Sequence, residues 1–315
     1  MGLCFHLDLS CKCRRPYENR RIVRKPLWLK ARLGVGEHFR DVKGTLERFG
    51  LHTVCQEAGC PNLGECWGRG TATFMILGDV CTRACRFCGV KSGPPSSPEI
   101  NEPRQVAEAA KALSLSYCVV TSVSRDDLPD GGAGHFAATV RAIREICPDT
   151  LVEVLIPDFE GSRNSLRTVI EAEPDLIGHN VETAARLAPG VRDRRTSYHR
   201  SLALLKGVKE IEPEARTKSG LMVGLGETEG EVLATMQDLR DAECDILTVG
   251  QYLQPSKECL PVAEYVHPEK FKKYREIGEA MGFRSVAAGP FVRSSYLSDQ
   301  FYEQVREPSE ALRAE

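Results

Sequence analysis

From Thr71 onward, short runs rich in β-branched residues alternate with longer segments whose apolar residues recur every three or four positions. The first kind suits buried strands and the second amphipathic helices. The pattern predicts strands at Thr73–Leu77, Tyr117–Ser122, Leu151–Ile156, Asp175–Asn180, Lys218–Val223 and Ile246–Tyr252, with a last short one at Ser285–Ala288. Between them it predicts helices at Pro103–Leu115 (Val106, Ala109, Ala110, Leu113), His135–Ile146 (Phe136, Val140, Ile143), Ser165–Glu171, Ser197–Ile211, Glu229–Ala242 and Pro268–Met281, and a C-terminal helix after Leu297. Regular alternation implies parallel pairing through right-handed crossovers. Six strand–helix units predict an α/β fold, a partial (βα)6 TIM-type barrel, with a doubly wound open sheet as the rival. In either, reactive groups belong at the C-terminal ends of strands, where Thr121, Ser122, Glu153, His179, Asn180 and Gln251 cluster. Residues 1–50 are basic and irregular, a solvated arm or a docking surface for an acidic partner.

Charge and composition narrow the class. The 315 residues carry 42 Lys and Arg against 44 Asp and Glu, and 42% are hydrophobic, which describes a globular chain with a sizeable core. A net charge of −2 gives no whole-molecule attraction to nucleic acid or to an anionic membrane. No segment approaches the roughly 18 apolar residues of a membrane span, so neither kind of partner is expected. Cysteine is the exception, with 13 residues, six of them between Cys55 and Cys88. An odd count in a long chain whose first residues do not resemble a signal peptide fits poorly with a disulfide scaffold. A reducing cytoplasm is expected, where clustered thiols serve metals or catalysis.

The six cysteines form two triads. Cys81-x3-Cys85-x2-Cys88 follows the first predicted barrel strand, so its loop lies at that strand's C-terminal end. Zinc normally takes four protein ligands in a structural site, whereas a four-iron cubane held by three thiolates keeps one iron open. Phe87, just before the third cysteine, can shield such a cluster from water. Cys55-x4-Cys60-x5-Cys66 is again one ligand short of a closed site, and Gly59, Pro61 and Gly64 bend its loop. A zinc site pooling ligands from both loops is the alternative at this point. Cys118, Cys147 and Cys244 suit buried apolar positions, and Cys4, Cys11 and Cys13 have no assigned role.

Cys-x3-Cys-x-aromatic-Cys after the first strand of an α/β barrel resembles the radical S-adenosylmethionine superfamily. The two triads in this order and spacing, with Arg293-Ser294-Ser295-Tyr296 near the C-terminus, resemble the lipoyl synthase family from about Lys25 to about Tyr296. Gly50–Cys55, Thr121–Ala133, His179–Thr183, Lys218–Glu227 and Ala288–Pro290 carry the likeness further. Two departures stand out, Cys259 where the family usually has His and Leu297-Ser298 where it often has His-Ala.

The resemblance implies two 4Fe–4S clusters and S-adenosylmethionine as cofactors. Cys81, Cys85 and Cys88 would hold the cluster that binds and cleaves the cofactor. Cys55, Cys60 and Cys66 would hold an auxiliary cluster, with Ser294 as its fourth ligand and Ser295 as the fallback. Thr121, Ser122, Glu153 and Asn180 are expected to contact S-adenosylmethionine. The implied reaction is radical insertion of two sulfur atoms, drawn from the auxiliary cluster, at carbons 6 and 8 of an octanoyl group. That group would be borne on a lysine of a lipoyl carrier domain, of the dehydrogenase E2 or glycine-cleavage H-protein type. The implied partners are a flavodoxin- or ferredoxin-type electron donor and an iron–sulfur carrier for cluster repair. The chain divides into an extension at 1–70, a barrel at 71–290 and an extension at 291–315, both extensions covering the barrel mouth. The rival readings are another two-cluster radical enzyme acting on a peptide or tRNA, and a zinc-stabilised binding protein.

Overall fold

The computed structural model describes residues 24–30 and 36–303. Cys4, Cys11, Cys13 and most of the basic arm lie outside them. Seven parallel strands follow in chain order: β1 (Thr73–Ile76), β2 (Tyr117–Ser122), β3 (Leu151–Leu155), β4 (Leu176–Gly178), β5 (Thr217–Val223), β6 (Ile246–Gln251) and β7 (Ser285–Gly289). The two-residue strand His52–Thr53 adds antiparallel to β1. It and β7 form the two free edges, so the sheet curls without closing. Strand order equals chain order and never reverses, which removes the switch point that a doubly wound sheet requires. The fold is a partial barrel, as the alternation predicts.

Helices cover the outside because each presents one apolar stripe to the sheet. The helix Glu102–Ala112 buries Val106, Ala107, Ala109 and Ala110, and Ala133–Ile146 buries Phe136, Val140 and Ile143. Phe74, Ile76, Val120, Val152 and Val154 receive them at 0% exposure. The helix Glu229–Asp241 begins with a capping box, Thr228 and Glu231 each satisfying the other's backbone N–H. Most boundaries fall within two residues of those expected from sequence.

Part of the segment read as irregular is a 13-residue helix, Glu37–Phe49. Its charges hide a stripe of Phe39, Val42 and Leu46, and Phe39 packs on Trp67 with ring centroids 5.2 Å apart. It thereby braces the short helix Leu63–Gly68, which bears Cys66.

After β7 the chain turns back across the barrel, and the helix Ser298–Glu303 ends on the base of β2, where Tyr302 packs on Tyr117 at 5.7 Å. Residues 290–303 thus form a strap along the open side. The N-terminal extension meets it: Asn62 Nδ2 donates to the Phe291 carbonyl at 2.6 Å, and Tyr296 Oη donates to Glu65 at 3.0 Å. Among the described residues no helix is long and apolar enough to cross a membrane.

Candidate functional site

Both triads line a single cavity of about 580 Å³ between the barrel mouth, the N-terminal extension and the strap. All ten described cysteines are free thiols.

Cys81 ends the two-residue strand Val80–Cys81, and the loop behind it is clamped from beneath. Arg83, 5% exposed, pairs with Asp126 at 2.7 Å and Asp158 at 2.6 Å. Burial opposes the Asp158 charge, but Arg83 outweighs it and holds that carboxyl below its ordinary range. Asp193 accepts the Ala84 N–H at 2.8 Å, and Arg195 lowers its pKa strongly. The thiols themselves receive backbone donors. Arg83 N–H and Ser124 N–H point at Cys81 Sγ at 3.4 and 3.3 Å, and Asp193 N–H points at Cys85 Sγ at 3.3 Å. Such donors stabilise thiolate or sulfide charge. Burial, with repulsion from neighbouring thiols further down the scale, pushes Cys85 up to about 11 and Cys88 up to about 12. Three close thiolates therefore need a cationic centre. Cys259, the departure from the family's His, donates its thiol to the Cys88 carbonyl at 3.3 Å and closes this loop.

The second triad is built from two short helical turns. Thr53 caps Val54–Glu57 through the Gln56 N–H, and Gly59, at φ 60°, turns the chain so that Cys60 N–H reaches the Cys55 carbonyl at 3.0 Å. Burial pushes Cys55 up to about 11 and Cys66 up to about 12, and each also feels the other thiols of the triad. The Trp67 indole N–H has no oxygen or nitrogen partner and faces Cys55, ready to donate to a thiolate.

Among the described residues, no three His, Cys, Asp or Glu side chains converge on a single ion. Thiolates around a cubane bind different irons and stand further apart than the ligands of one zinc ion. The donor set fits two clusters. Two buried atoms without partners, Ser122 Oγ and Asn180 Oδ1, belong to residues of the cavity wall and suit a polar cofactor.

Thr121, Ser122 and Asn180 line the cavity, although Thr121 already donates its hydroxyl to the Leu155 carbonyl at 2.9 Å. Glu153 is a correction. It is the middle residue of β3 and points inward below the mouth, 1% exposed, where Lys218 holds both carboxylate oxygens at 2.9 and 3.0 Å. Tyr117 donates to it at 2.7 Å, and Lys218 also donates to Ser298 at 2.7 Å. A paired, buried carboxylate of this kind anchors the strap and does not line the cavity where a cofactor would lie.

Glu182, which sequence reasoning passed over, lines the cavity instead. Burial raises its pKa, while Arg192 and the Asn180 amide partly offset this. Its φ is +68°, and it is fixed there by Glu182 N–H to the Gly220 carbonyl and Met222 N–H to its own carbonyl. A non-glycine residue held in the left-handed region by bonds on both sides is a constraint typical of functional sites. The signal in the sequence was the run His179-Asn180-Val181-Glu182 at a strand end.

Ser294 and Ser295 also line the cavity. Ser294 Oγ accepts from Asn180 Nδ2 at 2.6 Å, on the barrel side.

The fold and the clustered thiols define a class, and comparison with known proteins agrees. The radical SAM superfamily model matches residues 75–239, and a model for the N-terminal domain of lipoyl synthase matches residues 8–60. The hydrogenase maturase HydG of Carboxydothermus hydrogenoformans shares the fold with a TM-score of 0.53, 14% identity, 66% of this chain and 50% of that one. The SuiB structure from Streptococcus suis with its precursor peptide gives 0.52, 9%, 79% and 52%. The chain is thus a radical S-adenosylmethionine enzyme.

Close relatives narrow this further. The lipoyl synthase of Caldanaerobacter subterraneus is 57% identical, over 88% of this chain and 96% of that one. Those of Thermus thermophilus and Pyrobaculum arsenaticum are each 54% identical, over 88% of this chain and 86% and 95% of theirs. The chain belongs to the lipoyl synthase family, a family of sulfurtransferases that use S-adenosylmethionine and 4Fe–4S clusters.

Proposed function

We propose that the chain converts an octanoyl group, amide-linked to a lysine of a lipoyl carrier domain, into a lipoyl group by adding sulfur at carbons 6 and 8. The observation that carries this reading is the shared cavity: both triads face the space in which an extended acyl chain would lie. Val54, Met75, Leu155, Leu221 and Met222 give its wall apolar stretches, as a hydrocarbon tail requires. When bound, the clusters and S-adenosylmethionine would supply a carbon radical able to take an unactivated hydrogen, and a source of sulfide.

The chain's own residues divide the remaining tasks. Cys81, Cys85 and Cys88 hold the first cluster in a loop fixed by Arg83 and Asp193. Ser122, Asn180 and Glu182 bind the polar groups of S-adenosylmethionine, with Glu182 replacing Glu153 in that role. Cys55, Cys60 and Cys66 hold the auxiliary cluster. For its fourth ligand we favour Ser295 over Ser294, because the Ser294 hydroxyl is engaged by Asn180 while that of Ser295 makes no hydrogen bond among the described residues. One oxygen ligand among thiolates marks the iron easiest to release. We further propose the division at 1–70, 71–290 and 291–315, carriers of the E2 or H-protein type, a flavodoxin- or ferredoxin-type donor, an iron–sulfur carrier for repair, and a cytoplasmic setting.

Anaerobic turnover with an octanoylated carrier domain, a reductant and S-adenosylmethionine tests the reading. The product should gain the mass of two sulfurs and lose that of two hydrogens. Deoxyadenosine without sulfur addition would assign a different substrate. Ser295→Ala should retain less auxiliary iron than Ser294→Ala, and the reverse order would return the ligand role to Ser294.

A further inference from the structure

The Arg293 guanidinium sits in the wall of the shared cavity, with the Cys60 sulfur nearby. Its hydrogen bond is to the carbonyl of Val292, the adjacent residue, at 2.6 Å. No carboxylate among the described residues lies within ion-pair distance, whereas the buried Arg83 and Arg125 each have aspartate partners. Enclosing a cation without an anion is costly, and it persists where something else repays the charge. The strap is also shaped to bring it there. Gly250 lies beneath, and a Cβ at that position would be 3.2 Å from Arg293 Nη1 and would collide with the Val292 carbonyl.

The anion the site calls for is the auxiliary cluster. A four-iron cubane with three thiolates and an alkoxide carries about two net negative charges in its oxidised state. Glu65, beside Cys66, adds another negative charge. Arg69, the other nearby cation, is 38% exposed and shares its charge with Asp299 at 3.8 Å. We infer that Arg293 is the resident counter-charge of the auxiliary cluster, donating its N–H groups toward the Cys60 corner and holding the cluster in place between turnovers. This rests on the reading that Cys55, Cys60 and Cys66 bind a cluster.

The test uses the full chain with Cys81, Cys85 and Cys88 replaced by Ala, so that iron at the second triad alone is counted. Arg293→Met keeps the length of the side chain and removes its charge, and Arg293→Lys keeps the charge. The reconstituted Met variant should lose iron to a chelator about tenfold faster than its parent, with the Lys variant in between. The metal-free Met variant should melt no lower than the metal-free parent, because an unpaired enclosed cation has been removed. Equal rates of iron loss, or faster loss accompanied by a lower metal-free melting point, would overturn the counter-charge role. A parent that takes up no iron would instead sink the cluster reading beneath it.

Discussion

His179 is held neutral by its surroundings. Its Nδ1 lies 2.8 Å from the Ile156 carbonyl, and its Nε2 lies 2.9 Å from Ser201 Oγ. The network assigns the proton to Nδ1, which donates to Ile156, while Nε2 accepts from Ser201. Burial and then the nearby Arg192 charge lower its pKa from 6.5 to about 4, although Asp158 pulls the other way. The unfolded chain therefore takes up this proton first as the pH falls. Stability should decline from about pH 6.5 downward, by about 3 kcal/mol at pH 4. Urea midpoints between pH 7 and pH 4.5 measure this, and His179→Gln should flatten the slope; an unaltered slope would place the titration elsewhere. Two neighbouring carboxylates show how far single residues are legible from sequence. Glu153 lies in the middle of its strand and Glu182 just beyond the end of another, and their tertiary partners decide which of them faces the cavity. Lys218, which neutralises Glu153, lies 65 residues away and leaves no local signature.

At the scale of elements, the strap depends on strands that make room for it. Gly220 and Gly250 sit on β5 and β6 where it passes, and an added Cβ on Gly220 would lie 2.7 Å from Asn180 Oδ1 and 2.9 Å from Ser294 Oγ. Gly250→Ala should push Val292 and Arg293 outward while leaving the Cys81 loop in place. We expect roughly a hundredfold loss of sulfur insertion from such a displacement, with cleavage of S-adenosylmethionine largely kept. Loss of both together would show that the strap also shapes the cofactor pocket. The strands and outer helices were readable because each has its own apolar period. Of the strap only the helix after Leu297 was expected, because residues 290–297 have no such period and are held by polar contacts to Asn180 and to the N-terminal extension. The helix Glu37–Phe49 was missed for a related reason: its narrow apolar stripe lies among charged residues in a stretch dominated by arginine and lysine.

The whole molecule places two thiol triads around one space while supporting them by separate means. The first rests on ion pairs within the barrel, from Arg83 through Asp126 and Asp158. The second rests on the packing of Phe39 against Trp67 and on the strap. Damage to one should therefore spare the other. Cys55→Ala is expected to retain measurable deoxyadenosine formation and to abolish sulfur addition, and sulfur addition that survives would remove the second triad from the role of donor. The motif cysteines and the barrel were plain in the sequence through spacing and alternation. That the two loops open on the same cavity was not, because it depends on how the open side of the sheet is filled.

The strap also bears on the order in which the molecule can be made. Residues 290–303 supply one wall of the space that the second triad lines, and they leave the ribosome long after the Cys81 loop. The Cys81 loop and the strands around it are synthesised much earlier. A nascent chain can thus present the first triad in nearly finished surroundings while the second still lacks the wall formed by Arg293, Ser294 and Ser295. The surroundings of the two triads are completed one after the other by the chain's own direction of synthesis, and a carrier that fills the second should act only once the strap has been made.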